Sequence, residues 1–159
     1  MRTNKATQIR EITPDPKYKS VLVSQIVNRA MHDGKKSVTQ RLVYSAMALI
    51  EAQTKRKPLE VLEAAIANIT PQMEVRSRRV GGASYQVPMP VRTRRGASLS
   101  VRWLVLEANK RPNKQYHSFS EKLAAEILDA SQNQGGAIEK RDTSHRMAES
   151  NKAFAHFRW

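Results

Sequence analysis

The chain contains no cysteine among its 159 residues, so it forms no disulfide and offers no thiolate to a metal ion. Acidic residues are also scarce, because 14 Asp and Glu stand against 28 Lys and Arg and leave a formal net charge of +14 at pH 7. No apolar run approaches the roughly 18 residues of a membrane-spanning helix, and the N-terminal segment lacks the apolar stretch of a signal peptide. We expect a soluble intracellular protein whose positive field attracts a polyanion.

Motifs for catalysis and small-molecule binding are weak or missing. Gly34–Ser37 is similar to the end of a phosphate-binding P-loop, but Arg29 stands where that motif needs glycine, and the preceding residues have helical periodicity. The four histidines have no partner at metal-ligand spacing. Asp142, His145 and Glu149 share one helix face, which favours a salt-bridged surface. We therefore predict no enzymatic activity, no metal or other cofactor and no small-molecule substrate.

One segment reads as a β-ribbon. Two extended runs, Met73–Val80 and Tyr85–Val91, flank a glycine-containing turn at Gly81–Ser84, which predicts a two-stranded antiparallel ribbon over about residues 73–91. Pro88 and Pro90 are two residues apart, so both missing N–H groups lie on the same edge of the second strand. That outer edge is therefore blocked against further pairing.

The ribbon and the residues after it carry the densest positive charge in the chain, with six arginines and one glutamate between positions 73 and 95. The acids of the chain should concentrate at helix starts and on exposed faces, and not beside the basic hairpin. Guanidinium groups this close repel one another unless an anion is near, and the guanidinium fork fits phosphate. We expect phosphate contacts here; a merely solvated basic hairpin is the alternative.

Apolar residues at helical spacing predict six helices, over about 21–32, 38–53, 58–70, 93 or 98 to 109, 119–130 and 137–151. Ser20 is a candidate N-cap, and Ser37 with Gln40 and Ser118 with Glu121 have the spacing of capping boxes. Gly34 should end the first helix. The fourth helix is apolar on almost all faces and should be the central core element.

These elements predict a mainly α, single-domain fold of about six helices with one projecting two-stranded β-ribbon between the third and fourth helices. Residues 1–19 should form an extended basic arm that is ordered only on a partner. Residues 20–152 should form the helical, polyanion-binding domain, and residues 153–159 an aromatic and basic tail. The sixth helix is mostly polar and should lie on the surface, with a few apolar anchors at Ile138, Met147 and Ala148.

Three stretches resemble a known family: Asn28–Arg29 with Asp33–Ser37 and Leu42–Ala46; Arg76–Gly82 with Tyr85–Pro88 and Arg102–Leu104; and His145–Glu149 with Asn151–Phe157. In their order and spacing they resemble small-subunit ribosomal protein seven of the bacterial type, from Pro14 to Trp159. The N-terminal arm is only loosely similar, and Ser150 stands where the family usually has alanine.

The resemblance implies a structural constituent of the small ribosomal subunit, namely a primary rRNA-binding protein that nucleates assembly of the head, the 3′ major domain. It implies a place at the subunit interface near the decoding centre, the exit-site tRNA and the mRNA path. Small-subunit proteins nine and eleven are the implied protein partners, and no membrane is involved. The location is the cytoplasm of a bacterium, with an organellar ribosome left open.

Site residues follow partly from charge and partly from the resemblance. Charge predicts phosphate contact by the arm and by the loop after the fourth helix, at Arg2, Lys5, Arg10, Lys110, Arg111 and Lys114, and the resemblance implies that the phosphates are those of rRNA. The resemblance implies rRNA contact at Lys35, Lys36, Arg92, Arg94, Arg95 and Arg102. It implies a ribbon near tRNA and mRNA formed by Arg76, Arg78, Arg79, Gly81, Gly82 and Tyr85. A tail that contacts RNA or protein is implied at Met147, Asn151, Phe154, His156, Phe157 and Arg158.

Two other functions are compatible with parts of the pattern. Basic β-arms with proline occur in architectural proteins that bend DNA, and the Gly34–Ser37 loop is the only candidate for nucleotide chemistry. The family resemblance makes both remote.

Overall fold

The computed structural model describes residues 11–157. Its α-helices are α1 Val21–Ala30, α2 Lys36–Thr54, α3 Pro58–Ile69, α4 Thr93–Lys110, α5 Phe119–Ser131 and α6 Gly136–Ser150, followed by a 3-10 helix at Lys152–Phe157. Strands β1 (Met73–Val80) and β2 (Ala83–Pro90) pair between α3 and α4. This confirms the predicted mainly helical class with one two-stranded ribbon. Across these residues, no helix has the length and apolar content to cross a bilayer.

The core lies where α5 packs against α2, α3 and α4. Its largest fully buried side chains come from five helices: Ile26, Met47, Ile50, Leu62, Ile69, Leu104, Leu123 and Ile127. The prediction that α4 is buried all round is wrong, since Leu106 is 42% exposed and Arg102 faces solvent. The buried face of α4 instead carries Leu99, Val101 and Val105, so one side of this helix remains available to a partner.

Helix starts were only partly predictable. The predicted N-cap at α5 is confirmed, because Ser118 Oγ accepts a hydrogen bond from Glu121 N at 3.3 Å. The Glu121 side chain reaches back as a capping box requires, although its Oε2 accepts from His117 N, one residue before the N-cap, at 2.8 Å. The capping box at Ser37 is wrong: α2 already begins at Lys36, and the Gln40 side chain bonds to Tyr44 and Asp15 instead.

The end of α1 also differs from the prediction. The helix stops at Ala30, with Met31 as its C-cap in extended conformation. Gly34 lies beyond it, in the turn before α2, with φ of +71°.

The ribbon turns in two residues rather than four. Val80 pairs with Ala83, and Gly81 and Gly82 have φ of +57° and +90°, values that glycine adopts without strain. Further down, Val91 N donates to Gln72 O at 2.9 Å. Because bonded pairs alternate along an antiparallel ladder, Pro88 and Pro90 occupy outward-facing positions, which agrees with the predicted blocked edge.

The prediction that residues 1–19 are ordered only on a partner is wrong for residues 15–18. Asp15 is 3% exposed, its carboxylate accepts hydrogen bonds from the backbone N–H groups of Lys17 and Tyr18, and Tyr44 Oη donates to it at 2.8 Å. Burial alone would raise the pKa of Asp15, but these hydrogen bonds and one from Gln40 hold the pKa below its usual value. This segment is therefore fastened to α2.

Candidate nucleic-acid interface

The first half of α4, with its N-cap, presents three exposed arginines. Arg92 is the N-cap residue, and Arg94 and Arg102 lie two turns apart, roughly 12 Å along the helix axis. None of the three forms an ion pair with an acid among residues 11–157. The positive end of the helix dipole disfavours cations at Arg92 and Arg94, which lie at the N-terminus of α4. An external anion would therefore bind here to both the side chains and the dipole.

Helix α1 contributes polar residues that were missing from the predicted site. Gln25, Asn28 and Arg29 lie at positions i, i+3 and i+4, on the side opposite the buried Val23 and Ile26–Val27. They line a cleft against the first turns of α4. The sequence does indicate these residues, because they form a polar stripe on an otherwise apolar helix. Only the fold shows that α4 lies beside this stripe.

Lys35 and Lys36 lie at the start of α2, next to α1. Lys36 shares a cleft with Ser24 and Val27 of α1, while Lys35 Nζ is 3.8 Å from Asp33 Oδ2, with both side chains largely exposed. An exposed pair of this kind neutralises little charge. We use the name basic surface for the exposed cations that neighbouring helices α2, α1 and α4 contribute, namely Lys35, Lys36, Arg29, Arg92, Arg94 and Arg102.

The root of the ribbon joins this surface through one buried acid. Glu74 is 8% exposed; its Oε1 accepts a hydrogen bond from Arg76 Nε at 2.7 Å and its Oε2 one from Arg95 Nε at 3.1 Å. Burial alone would raise the pKa of Glu74, but the hydrogen bonds and charges of the two arginines outweigh it and lower the pKa. The expectation that acids do not lie beside the basic hairpin is therefore wrong for Glu74, which supplies the anion for two of the six arginines.

Two contacts from α6 hold the ribbon root on its other side. Ser144 Oγ donates to Met73 O at 3.1 Å, and His145 Nε2 accepts from Gln72 N at 3.0 Å. Gly96 allows α4 to approach the same region, since a Cβ there would stand 2.9 Å from Thr70 Cγ2. The ribbon thus leaves the domain at an angle that several contacts determine.

The outer half of the ribbon has two different faces. Arg78 and Tyr85 are directly opposite each other, half-buried, on the face that also carries Val87. Arg79 points to the other face and is exposed. Tyr85 packs against Phe154 and Phe157 of the 3-10 helix, with ring centroids 5.2 and 5.3 Å apart. Two aromatics of the predicted tail therefore lie on the ribbon of their own chain.

Arg111, one of the predicted rRNA contacts, is paired with acids of its own chain. Its guanidinium donates to Glu126 Oε2 at 2.7 Å, to Asp129 and to Tyr116 Oη, and its side chain is 15% exposed. Burial alone would lower the pKa of Arg111, but the hydrogen bonds and charges of Asp129 and Glu126 outweigh burial and raise the pKa above its usual value. Glu126, itself 1% exposed, accepts a second hydrogen bond from Ala137 N at 2.8 Å. This network ties the loop after α4 to α5 and α6.

The remaining predicted residues are dispersed. Lys110 Nζ donates a hydrogen bond to Glu107 Oε1 at 2.8 Å at the far end of α4, roughly 24 Å along the axis from Arg94. Lys114 is exposed in the loop that follows. Met147 is 55% exposed, so the prediction that it anchors α6 is wrong. Asn151 Nδ2 donates to Met147 O, and His156 Nδ1 is 2.9 Å from Ala153 O. Arg2, Lys5, Arg10 and Arg158 lie outside the described residues.

Comparison with known proteins gives this geometry a family. The model of a family described as ribosomal protein S7p/S5e matches residues 1–152. The chain belongs to the ribosomal protein S7p/S5e family. It is 58% identical over 150 residues to small ribosomal subunit protein uS7 of Dictyoglomus thermophilum, covering 94% of each chain. It is 50% identical over 159 residues to the protein of that name from Rhodopseudomonas palustris, covering all of both.

Membership confirms the resemblance seen in the sequence, and makes the chain a structural, non-enzymatic protein of the small ribosomal subunit. Within residues 11–157, no three His, Asp or Glu side chains are placed to hold a metal ion.

Proposed function

We propose that this member of the S7p/S5e family is a primary rRNA-binding protein that nucleates folding of the head, the 3′ major domain, of a bacterial small subunit in the cytoplasm. The observation that carries the proposal is the basic surface. Its cations at Arg92, Arg94 and Arg102 are exposed and have no acidic partner in the described part of the chain. Arg95 and Arg111, by contrast, are neutralised internally.

Separate helices contribute the cations of that surface, so the protein can hold several RNA helices together during assembly. Lys35 and Lys36 belong to the start of α2, Arg29 to α1, and Arg94 to α4, and these helices are fixed by a common core. A rigid set of cations binds phosphates from several RNA helices in one arrangement, so phosphate contacts position the protein and RNA shape supplies specificity. We also propose that the chain is divided into a basic arm over residues 1–19, an RNA-binding domain over residues 20–152 and a tail over residues 153–159.

The ribbon and tail complete the proposal. The ribbon carries Arg79 and the Gly81–Gly82 turn away from the basic surface, which suits contact with exit-site tRNA and the mRNA path at the subunit interface near the decoding centre. Met147 and the exposed side of the 3-10 helix, including His156, are the proposed contacts with proteins nine and eleven.

The test is binding of the purified protein to an RNA fragment of the head domain, with duplex DNA and a scrambled RNA of equal length as controls. We expect preference for the head fragment and a steep loss of affinity with salt, because displaced counterions drive phosphate binding. Equal affinity for all three polymers would refute the proposal, and a preference for duplex DNA would favour the architectural alternative.

A further inference from the structure

We propose that the cleft between α1 and the beginning of α4 binds one unpaired nucleotide of the RNA. The base lies on the apolar floor of the cleft, its edge meets two amide side chains, and its phosphate lies against two arginines. This inference rests on the proposed function, because it names a specific contact within the proposed RNA interface.

The cleft has the size and floor that a nucleobase needs. Its volume is about 700 Å³, within the roughly 300–1,000 Å³ of small-molecule clefts. Ile12, Ala97 and Val101 form the apolar part, and Ile12 is 41% exposed although it is large and hydrophobic. Covering this floor with the flat face of a base removes apolar surface from water. A base-paired nucleotide would have to be unstacked first, so an already unpaired one fits best.

Two amide groups stand at the rim of the cleft. Gln25 and Asn28 are one helical turn apart on α1, and neither side chain is hydrogen-bonded to any residue between positions 11 and 157. Each amide offers a donor nitrogen and an acceptor oxygen that are bonded to the same carbon. This combination matches the edge of a nucleobase, which also presents donors and acceptors side by side.

The charges of the cleft select a nucleotide over an apolar peptide. Arg29 and Arg94 line it from opposite helices, and no acidic residue is among the lining residues. Neither arginine is ion-paired within the described part of the chain. A guanidinium stacks on a base as well as binding phosphate. One nucleotide therefore satisfies the apolar floor, the amides and both cations, whereas a peptide would need an acid and an apolar residue in one short segment.

The experiment uses small subunits reconstituted with the full-length protein and chemical probing of every rRNA base. One variant, Gln25→Ala with Asn28→Ala, removes the amides; a second, Ala97→Phe, fills the floor. The matched control is Gln53→Ala with Asn109→Ala, which removes two exposed amides elsewhere on α2 and α4. Thermal unfolding of each free protein establishes that the variants are folded.

We expect the same one or two bases to become reactive in both cleft variants and to stay protected in the control. Affinity for the head-domain RNA should fall about fivefold to thirtyfold in the amide variant, the loss of two modest hydrogen bonds. Reactivity identical to the control would overturn the proposal.

A photocrosslinker attached at Asn28→Cys distinguishes the possible occupants. Crosslinks to the same one or two bases support the proposal, and crosslinks only to a neighbouring protein overturn it. Failure of the unmodified protein to bind head-domain RNA would instead refute the proposed function itself.

Discussion

Glu74 Oε2 accepts a hydrogen bond from Arg95 Nε at 3.1 Å, which joins the root of the ribbon to the first turn of α4. The two residues are 21 positions apart, and the same carboxylate also holds Arg76. This buried acid is thus one of the contacts that fix the angle of the ribbon relative to the basic surface. It also removes two of the arginines from the pool that is available to RNA.

The lowered pKa of Glu74 predicts acid sensitivity of the fold. The stabilisation is present above the unfolded-state pKa, near 4.5, and is lost as the pH falls through the lower folded-state pKa. At pH 7, Glu74→Gln should reduce the free energy of unfolding by about 2 kcal/mol, the order of a charged hydrogen bond. Urea unfolding should show this difference shrinking below pH 4.5. The exposed Glu60→Gln is the control, and a difference independent of pH would contradict the assignment.

Substitutions at Arg111 and Lys114 should have opposite effects on stability and on rRNA affinity, although the sequence predicts rRNA contact for both. Arg111→Met leaves Glu126 buried without its counter-charge, which should cost about 3–5 kcal/mol in urea unfolding. Lys114 is exposed, so Lys114→Met should leave stability unchanged and reduce rRNA affinity slightly. If folded Arg111→Met protein loses more rRNA affinity than Lys114→Met, the guanidinium contacts RNA after all.

The packing of the 3-10 helix on the ribbon should be measurable by hydrogen exchange. Phe154→Ala with Phe157→Ala removes both rings from Tyr85, at about 0.5–1.5 kcal/mol per aromatic pair. The amides of Tyr85 and Val87, which face β1, should then exchange faster. Lys152→Ala at the exposed start of the same helix is the control. Unchanged exchange at these two amides would show that the tail does not stabilise the ribbon.

The elements that could be predicted from the sequence are those that depend on near neighbours. The Ser118–Glu121 cap, the Gly81–Gly82 turn and the proline-blocked edge each involve residues within a few positions of one another. Local signals also produced the errors. Ser37 and Gln40 have capping-box spacing, but the nearby Asp15 and Tyr44 provide Gln40 with other partners.

The candidate site was less predictable because it depends on which cations find an acid in the folded chain. Arg111 meets Glu126, 15 positions away, and Arg95 meets Glu74. In sequence these arginines look the same as Arg94, which meets no acid in the part of the chain described. The polar face of α1 is absent from the predicted site for a related reason. Asn28 and Arg29 form part of a cleft only because α4 lies beside them in the fold.

Shortening the ribbon should separate its role from that of the basic surface. Deleting Arg79, Val80, Ala83 and Ser84 removes two cross-strand pairs, so Arg78 and Tyr85 keep their face and again flank the glycine turn. We expect unchanged affinity for head-domain RNA but altered retention of exit-site tRNA in reconstituted subunits. Replacing only Arg79 by Ala, at full ribbon length, tests charge apart from reach. If the shortened protein loses affinity for head-domain RNA, the ribbon contacts rRNA, which contradicts the proposed contact with tRNA.

Lys35 and Lys36 provide the most direct test of phosphate binding by the basic surface. Both are exposed at the start of α2, and only Lys35 has an acidic neighbour within the described residues, Asp33 at 3.8 Å. Lys35→Ala with Lys36→Ala should lower rRNA affinity at low salt. It should also flatten the plot of log affinity against log salt by about 0.7–0.9 for each phosphate that the protein no longer binds. Lys55→Ala with Lys57→Ala, at the other end of α2, matches the charge change. Equal slopes for the two double variants would mean that these lysines meet no phosphate, and that the surface begins at α1.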